Sequence, residues 1–170
     1  PEKIENAPAG ATVAHVQVVP VDLVMQPGQT RQFHVRLFDD KGRFIREEAN
    51  PAWSMAGLTG KTTGTQLTAP ADIAIQAGQL KATVGGVTGL ARLRVIPPLP
   101  TAEDFSSIAV DQAPGTWLNT GGKYIVREVN GNKILVKKEN LGIFKRTRSL
   151  FGAVDTANYT IEADVSALEK

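Results

Sequence analysis

The sequence contains no cysteine, which excludes disulfide bonds, thiolate catalysis and zinc sites built from cysteine. Its only two histidines, His15 and His34, both fall on the polar phase of alternating segments, and no His-x-His pattern or Cys accompanies them. No Gly-x-Ser-x-Gly motif marks a catalytic serine. The Gly-rich segment 83–89 also lacks the Lys-Ser/Thr ending of a phosphate-binding loop. We therefore expect a protein that is not an enzyme and needs no cofactor.

Long apolar runs and a strong net charge are also missing. No run of about 18 apolar residues is present, so the sequence predicts no membrane span. The formal net charge of the 170 residues is only +2, which disfavours nucleic acid as a partner. Since the chain starts at Pro1 without Met or an apolar signal core, we interpret it as a processed or excised piece of a longer protein.

Glycine and proline, by contrast, are frequent and divide the chain into short pieces. The 16 Gly and 10 Pro bound segments of four to eight residues whose apolar side chains alternate, a pattern typical of antiparallel strands. Residues 1–11 and the Pro-rich residues 97–103 read as linkers, because they show no such alternation. The sequence thus predicts an all-β fold with a sandwich over residues 12–96 and a second β domain over residues 104–170.

Particular turns and strands can be placed within this scheme. The turn Asp39 to Gly42 follows the clearest strand, and Asn130 to Asn132 separates two alternating segments, which predicts a β-hairpin. Residues 159–165 alternate again, so we expect a strand that buries Tyr159, Ile161, Ala163 and Val165 on one face.

The first block resembles bacterial immunoglobulin-like domains of the kind found in surface and extracellular proteins. The residues that carry the resemblance are VQVVP (16–20), PGQTRQFHVRLFDDKGRFI (27–45), PAWS (51–54) and TGLARLRV (88–95). It implies an immunoglobulin-like β-sandwich in which Trp53 fills the gap between two sheets rather than binding a ligand.

The second block resembles the start of concanavalin- or laminin-G-like jelly-roll modules of bacterial sugar-related proteins. EDF (103–105), GTW (115–117), GGKYIVREVNGNKILV (121–136) and ANYTIEADV (157–165) carry it. Such modules are longer than this block, which implies a partial jelly-roll β-sandwich. The two blocks together resemble the C-terminal region of exported bacterial multidomain proteins with an upstream β-propeller of the pyrroloquinoline-quinone-dehydrogenase type. The resemblance implies export to the periplasm, cell surface or medium; no cofactor is carried over, because no propeller sequence is present.

Candidate binding residues lie mainly in the second block. Trp117 and Tyr124 are candidates for stacking against a glycan, although both could equally belong to the core. Eight Lys or Arg against two acids lie between Lys123 and Arg148, and this stripe either binds an anionic partner or forms a solvated face that protects a sheet edge. The anionic-partner candidates are Lys137, Lys138, Lys145, Arg146 and Arg148.

A metal site has weaker support. Asp39 and Asp40 lack the alternate-residue spacing of a calcium loop, so we interpret them as part of a turn. Edge calcium held by Asp104 and Asp164 stays open as an implication of the jelly-roll resemblance.

These observations lead to three functional hypotheses. The chain is a structural and binding module of an exported multidomain protein, with a spacer domain and a jelly roll that binds a glycan or a protein. Alternatively, it is an assembly component whose second domain is completed by strands of a partner chain. The third hypothesis is an accessory fragment of a larger carbohydrate-active or quinoprotein-like enzyme. Expected partners are neighbouring domains of a longer chain, a partner protein or a polysaccharide.

Overall fold

The computed structural model describes residues 4–72, 75–138, 147–153 and 156–167, and these residues form an all-β fold. None of the described segments is a helix that could cross a membrane. The strands are β1 (His15–Val19), β2 (Asp22–Met25), β3 (Thr30–Gln32), β4 (His34–Phe38), β5 (Phe44–Glu47), β6 (Ala52–Ala56), β7 (Lys61–Thr63), β8 (Gln66–Thr68), β9 (Gln76–Val84), β10 (Val87–Val95), β11 (Tyr124–Val129) and β12 (Asn132–Lys137). The predicted all-β class is confirmed.

Two sheets close on each other in the first block. One has the strand order β1-β4-β5, the other β2-β10-β9-β6, and a small third sheet has the order β3-β8-β7. β2 runs parallel to β10, whereas β1 pairs with β4, and β9 with both β10 and β6, in antiparallel register. This arrangement is a β-sandwich, as the alternation of the strands predicted.

The core between these sheets consists of the inward residues of the alternating strands. Phe33, Leu37, Leu80 and Leu93 are at most 1% exposed, which removes their apolar surface from water. Trp53 packs against this cluster; its ring meets Phe33 edge to face at 6.4 Å. Its indole Nε1 donates a hydrogen bond to the carbonyl of Gly64 at 2.7 Å. Trp53 thus packs against the core and serves the fold, as predicted, but it is only half-buried.

A glycine in β10 allows the two sheets to approach closely. A Cβ placed on Gly89 would lie 2.3 Å from the carbonyl oxygen of Val16 in β1, far inside van der Waals contact. Only a residue without a side chain fits there, because the backbone of one sheet meets that of the other. The Gly-rich segment 83–89 therefore has a structural role. Gly85 and Gly86 form the β9–β10 turn with positive φ angles of 57° and 81°.

The second block is built around the β11–β12 hairpin. Asn130 and Gly131 connect its strands with φ angles of 51° and 81°, the conformation of a type I′ turn. The predicted hairpin is thus confirmed. Val126 in β11 is fully buried. On the side of β11 away from β12, its carbonyl accepts a hydrogen bond from the Asp111 N–H and its own N–H donates to the Gln112 carbonyl.

The strand expected over residues 159–165 is absent. Residues 157–167 are exposed and belong to no sheet of the described chain. Tyr159 is 52% exposed and Val165 is 89% exposed, so the prediction of a buried apolar face was wrong for this structure. The physical reason is that alternating apolar and polar residues allow a segment to form a strand but do not determine which strand it pairs with. Without a partner strand the backbone of the segment cannot form the hydrogen bonds of a sheet, and its apolar side chains cannot be buried.

Candidate functional site

An exposed apolar surface surrounds Trp117. We call Trp117, Leu118, Leu150 and Phe151 the aromatic patch. Phe151 stacks on the indole of Trp117 with ring centroids 4.7 Å apart and an interplanar angle of 24°. Phe105 meets the same indole edge to face at 5.8 Å. Trp117 itself is half-buried, whereas Leu118, Leu150 and Phe151 are 40%, 60% and 52% exposed.

Hydrogen bonds hold the backbone beneath the aromatic patch in place. Leu118 and Leu150 form an isolated antiparallel bridge with hydrogen bonds of 2.7 and 3.0 Å. Thr120 is buried, and its hydroxyl donates to the carbonyl of Trp117 at 3.0 Å, which orients the turn that carries the indole. The Ser149 hydroxyl donates to the carbonyl of Leu118 at 3.0 Å. Two distant segments of the chain are therefore joined here by both backbone and side-chain hydrogen bonds.

Tyr124 lies beside this bridge rather than on the patch. Its hydroxyl forms a 2.6 Å hydrogen bond with the Thr147 hydroxyl, and its ring is half-buried. The structure therefore gives Tyr124 an anchoring contact, which holds residue 147 against the start of β11. Glycan stacking by Tyr124 stays a prediction.

The basic stripe is only partly described. Lys137, Lys138 and Arg148 are exposed, while Lys145 and Arg146 lie outside the described residues. Asn119 connects Arg148 to the patch, since its side-chain amide donates to the Arg148 carbonyl at 3.0 Å. Arg148 thus lies next to the aromatic patch, whereas Lys137 and Lys138 lie at the end of β12.

A second polar cluster lies where the two blocks meet. Arg94 in β10 has a side chain only 9% exposed, and its Nη1 donates to Asp22 Oδ1 at 2.6 Å. Arg92, 65% exposed, reaches the same carboxylate from Nε at 3.4 Å. Arg94 Nε is buried and has no hydrogen-bond partner among the described residues. The Asp22 carboxylate therefore forms ion pairs with two guanidinium groups, an arrangement that sequence reasoning missed.

Two shallow cavities flank Arg94. One of about 250 Å³ includes Gln79, Arg92 and Gly115 in its lining. The other, of about 200 Å³, is bounded by Val24 and by Leu118, Leu150 and Phe151 of the aromatic patch. Neither brings together a nucleophile and a base, so the described residues provide no constellation for acid–base or nucleophilic catalysis in these cavities.

Two of the acidic residues considered for calcium, Asp39 and Asp104, have local structural partners. Asp39 is buried and accepts hydrogen bonds from the backbone of Lys41 and Arg43, at 3.0 and 2.8 Å, and from the Arg43 side chain. Burial alone would raise the pKa of Asp39, but these hydrogen bonds lower it below 3.8. Asp39 therefore stabilises the turn, as predicted. The backbone N–H of Ser106 likewise lowers the pKa of Asp104, at a hydrogen-bond distance of 2.9 Å.

The described ranges contain no group of three or more His, Asp or Glu side chains suited to a metal ion. His15 and His34 are exposed, as expected from their strand phase. His34 Nδ1 lies 3.2 Å from a carboxylate oxygen of Glu47. This hydrogen bond is the main reason that the pKa of Glu47 is lowered.

Sequence reasoning did not single out most of the aromatic patch. The signal was the pair Leu150 and Phe151 directly before Gly152, two large apolar residues outside any alternating segment. Gly152 adopts a φ of 83°, which ends the bridge segment immediately after Phe151. Consecutive apolar residues in a loop mark a docking surface or a bound neighbour.

The sequence matches no model of a known protein family and no curated protein. The immunoglobulin-like and jelly-roll resemblances consequently rest on the sequence patterns that suggested them. The all-β sandwich itself rests on the strand order and on the shared core.

Proposed function

We propose that this chain is a non-catalytic structural and binding module of an exported bacterial protein. In this proposal the sandwich of the first block is a spacer. The second block binds a glycan through the aromatic patch. The observation that carries the proposal is the Phe151 ring stacked on Trp117 while more than half exposed.

The spacer role follows from how the first block uses its distinctive residues. Trp53 is held in the core by its indole hydrogen bond, and Asp39 closes a turn. Gly89 is required for the contact of the two sheets. These residues serve the fold of the first block, which supports a spacer role for it.

The binding role follows from the chemistry of the aromatic patch. The Phe151 ring is stacked on Trp117 through one face, and its other face is a flat apolar surface of the kind on which the C–H face of a sugar ring packs. The Asn119 amide and the Ser149 hydroxyl lie alongside, and the Asn119 amide holds the backbone of Arg148 next to the patch. Specific ligand sites combine an apolar surface with a few polar groups that fix orientation. The nearby Arg148 favours a glycan that carries carboxylates.

The proposal is tested by electrophoresis through native gels that contain polysaccharide. Gels are cast with neutral and with uronate-containing polysaccharides, and the retardation of the wild-type chain is compared with that of Phe151→Ser. Leu90→Ser is the matched control, because Leu90 is 44% exposed but lies on β10 of the first block. We expect retardation of the wild type and of Leu90→Ser, and loss of it in Phe151→Ser. Equal retardation of all three proteins would refute a glycan site at the aromatic patch.

A further inference from the structure

The cavity of about 250 Å³ beside Arg94, which we call the arginine cavity, has the features of an anion site. We propose that it binds a small oxyanion, such as a phosphate or a carboxylate group, between the guanidinium groups of Arg92 and Arg94. This site is separate from the proposed glycan site, because none of the described residues that line the arginine cavity belongs to the aromatic patch.

The strand register places both arginines on the outer face of the β2-β10-β9-β6 sheet. Residues two apart in a strand share a face, and Ala91 and Leu93 of β10 are buried in the sandwich core. Arg92 and Arg94 therefore lie on the opposite face. Gln79 is directly opposite Arg92 on β9 and lines the same cavity. Two guanidinium groups and a side-chain amide are thus brought to one wall.

The second block covers part of this face at Gly115. A Cβ placed on Gly115 would lie only 3.2 Å from the Cβ of Ala77 in β9, so the backbone of the second block comes close to the sheet. The Arg94 side chain is 9% exposed, whereas that of Arg92 is 65% exposed. The arginine cavity therefore combines a nearly buried guanidinium with an accessible one. Attraction for an anion is stronger at the buried group, since the effective dielectric constant falls as water is excluded.

The described residues supply less negative charge than the two arginines require. Asp22 forms ion pairs with both of them, at 2.6 and 3.4 Å, which leaves one positive charge in excess for the three groups. The described lining of the arginine cavity contains no Asp or Glu. On β9 the next residue that shares the face of Gln79 is a further cation, Lys81. A bound anion balances this excess charge.

Both arginines keep hydrogen-bond donors after their contacts with Asp22. Asp22 accepts from Nη1 of Arg94 at 2.6 Å and from Nη2 at 3.5 Å, while the buried Nε of Arg94 has no hydrogen-bond partner among the described residues. Arg92 meets Asp22 through Nε alone. Because each guanidinium carries five N–H donors, several of them remain for an oxyanion. The fork of a guanidinium matches the paired oxygens of carboxylates and phosphates.

The volume of the arginine cavity restricts the ligand to a small group. Sites for drug-sized ligands occupy roughly 300–1,000 Å³, and about 250 Å³ lies below that range. The arginine cavity therefore accommodates the acidic group itself and few attached atoms. The group is either a free oxyanion or the acidic substituent of a sugar.

Thermal unfolding of the full chain at constant ionic strength tests the anion site, with sodium phosphate replacing sodium chloride. A ligand of the folded state should raise the Tm by about 3–5 °C for each tenfold increase in phosphate above its Kd. Arg92→Gln should lose most of this rise. Arg46→Gln is the matched control and should keep it, because Arg46 is 52% exposed and paired with Glu48 but lies on β5 in the other sheet. Stabilisation by phosphate that is merely excluded from the surface would be equal in all three proteins.

Asp22→Asn provides a second readout of opposite sign. It removes the carboxylate that competes for both guanidinium groups, so the affinity for phosphate should increase severalfold or more. The Tm of Asp22→Asn should then rise with phosphate by more than that of the wild type. A purely structural role of the ion pairs predicts no such gain.

Acetate, glucuronate and neutral glucose in the same assay distinguish the sources of the oxyanion. A rise with phosphate or acetate identifies a free oxyanion, and a rise with glucuronate alone identifies the acidic group of a sugar. Phe151→Ser should keep the response to the anion, which separates this site from the glycan site. Three results would overturn the proposal: no rise of the wild type with any of the anions, an equal rise in the wild type and Arg92→Gln, or a smaller rise in Asp22→Asn than in the wild type.

Discussion

Replacing Asp22 by Asn tests how much the ion pair between β2 and β10 contributes to the free energy of unfolding. Asp22 is the carboxylate shared by Arg94 and Arg92, at 2.6 and 3.4 Å. The change preserves the shape of the side chain and removes its charge. It removes the carboxylate that pairs with the guanidinium of Arg94, which is only 9% exposed and whose Nε has no hydrogen-bond partner in the described part of the chain.

The magnitude follows from the burial of the group left behind. Breaking a buried ion pair by removing one partner costs about 3–5 kcal/mol. We expect about 3 kcal/mol for Asp22→Asn, because Asp22 is one-third exposed and the Asn oxygen still accepts a hydrogen bond. Arg92→Gln breaks the other contact of the same carboxylate, but Arg92 is 65% exposed, so its removal should cost about 0–1 kcal/mol.

Urea and thermal unfolding, followed by circular dichroism, measure both variants against the wild type. At about 2–4 °C per kcal/mol for a chain of this size, Asp22→Asn should lower the Tm by about 6–12 °C, and Arg92→Gln by a few degrees at most. If the two variants lower the free energy of unfolding equally, the difference in burial between the two arginines does not control stability and the reasoning fails.

Two further predictions concern the first block. Because hydrogen bonds hold the pKa of Asp39 below 3.8 against the effect of burial, its stabilising contribution is present above pH 3.8 and is lost as the pH falls through the lower folded value. In acid titrations followed by tryptophan fluorescence, Asp39→Asn should therefore be less stable than the wild type near neutrality, and the difference should shrink below pH 3.8; a constant difference would contradict this. Gly89→Ala should cost about 1–3 kcal/mol in urea unfolding, since its Cβ would meet the Val16 carbonyl at 2.3 Å, whereas Gly121→Ala, with open space around it, should cost little.

Much of the fold was predictable because residues close together in the sequence determine its strands and turns. The alternation of β4 and the turn residues Asn130 and Gly131 define strands and hairpins within about ten residues of sequence. The core position of Trp53 follows from the phase of a single strand. Local patterns also indicated that Asp39 serves a turn, since the side-chain oxygens of Asp reach the backbone of the residues that follow.

The remaining features depend on contacts between distant residues. Asp22 and Arg94 are 72 positions apart and meet only because β2 runs parallel to β10. Phe151 reaches Trp117 through the Leu118–Leu150 bridge, which no periodicity encodes. For Tyr159 the alternation correctly describes two faces but contains no information about the strand that would cover one of them.

The two indole N–H signals in the nuclear magnetic resonance spectrum of this chain test the central claim most directly. Trp53 reports on the core of the first block and Trp117 on the aromatic patch, and these are the only tryptophans in the sequence. Titration with oligosaccharides released from the polysaccharides that retard the chain should shift the Trp117 signal in a saturable manner. The Trp53 signal, held by its hydrogen bond to Gly64, should stay in place. If Trp53 shifts, or if neither signal moves at saturating oligosaccharide, the aromatic patch is not the binding surface.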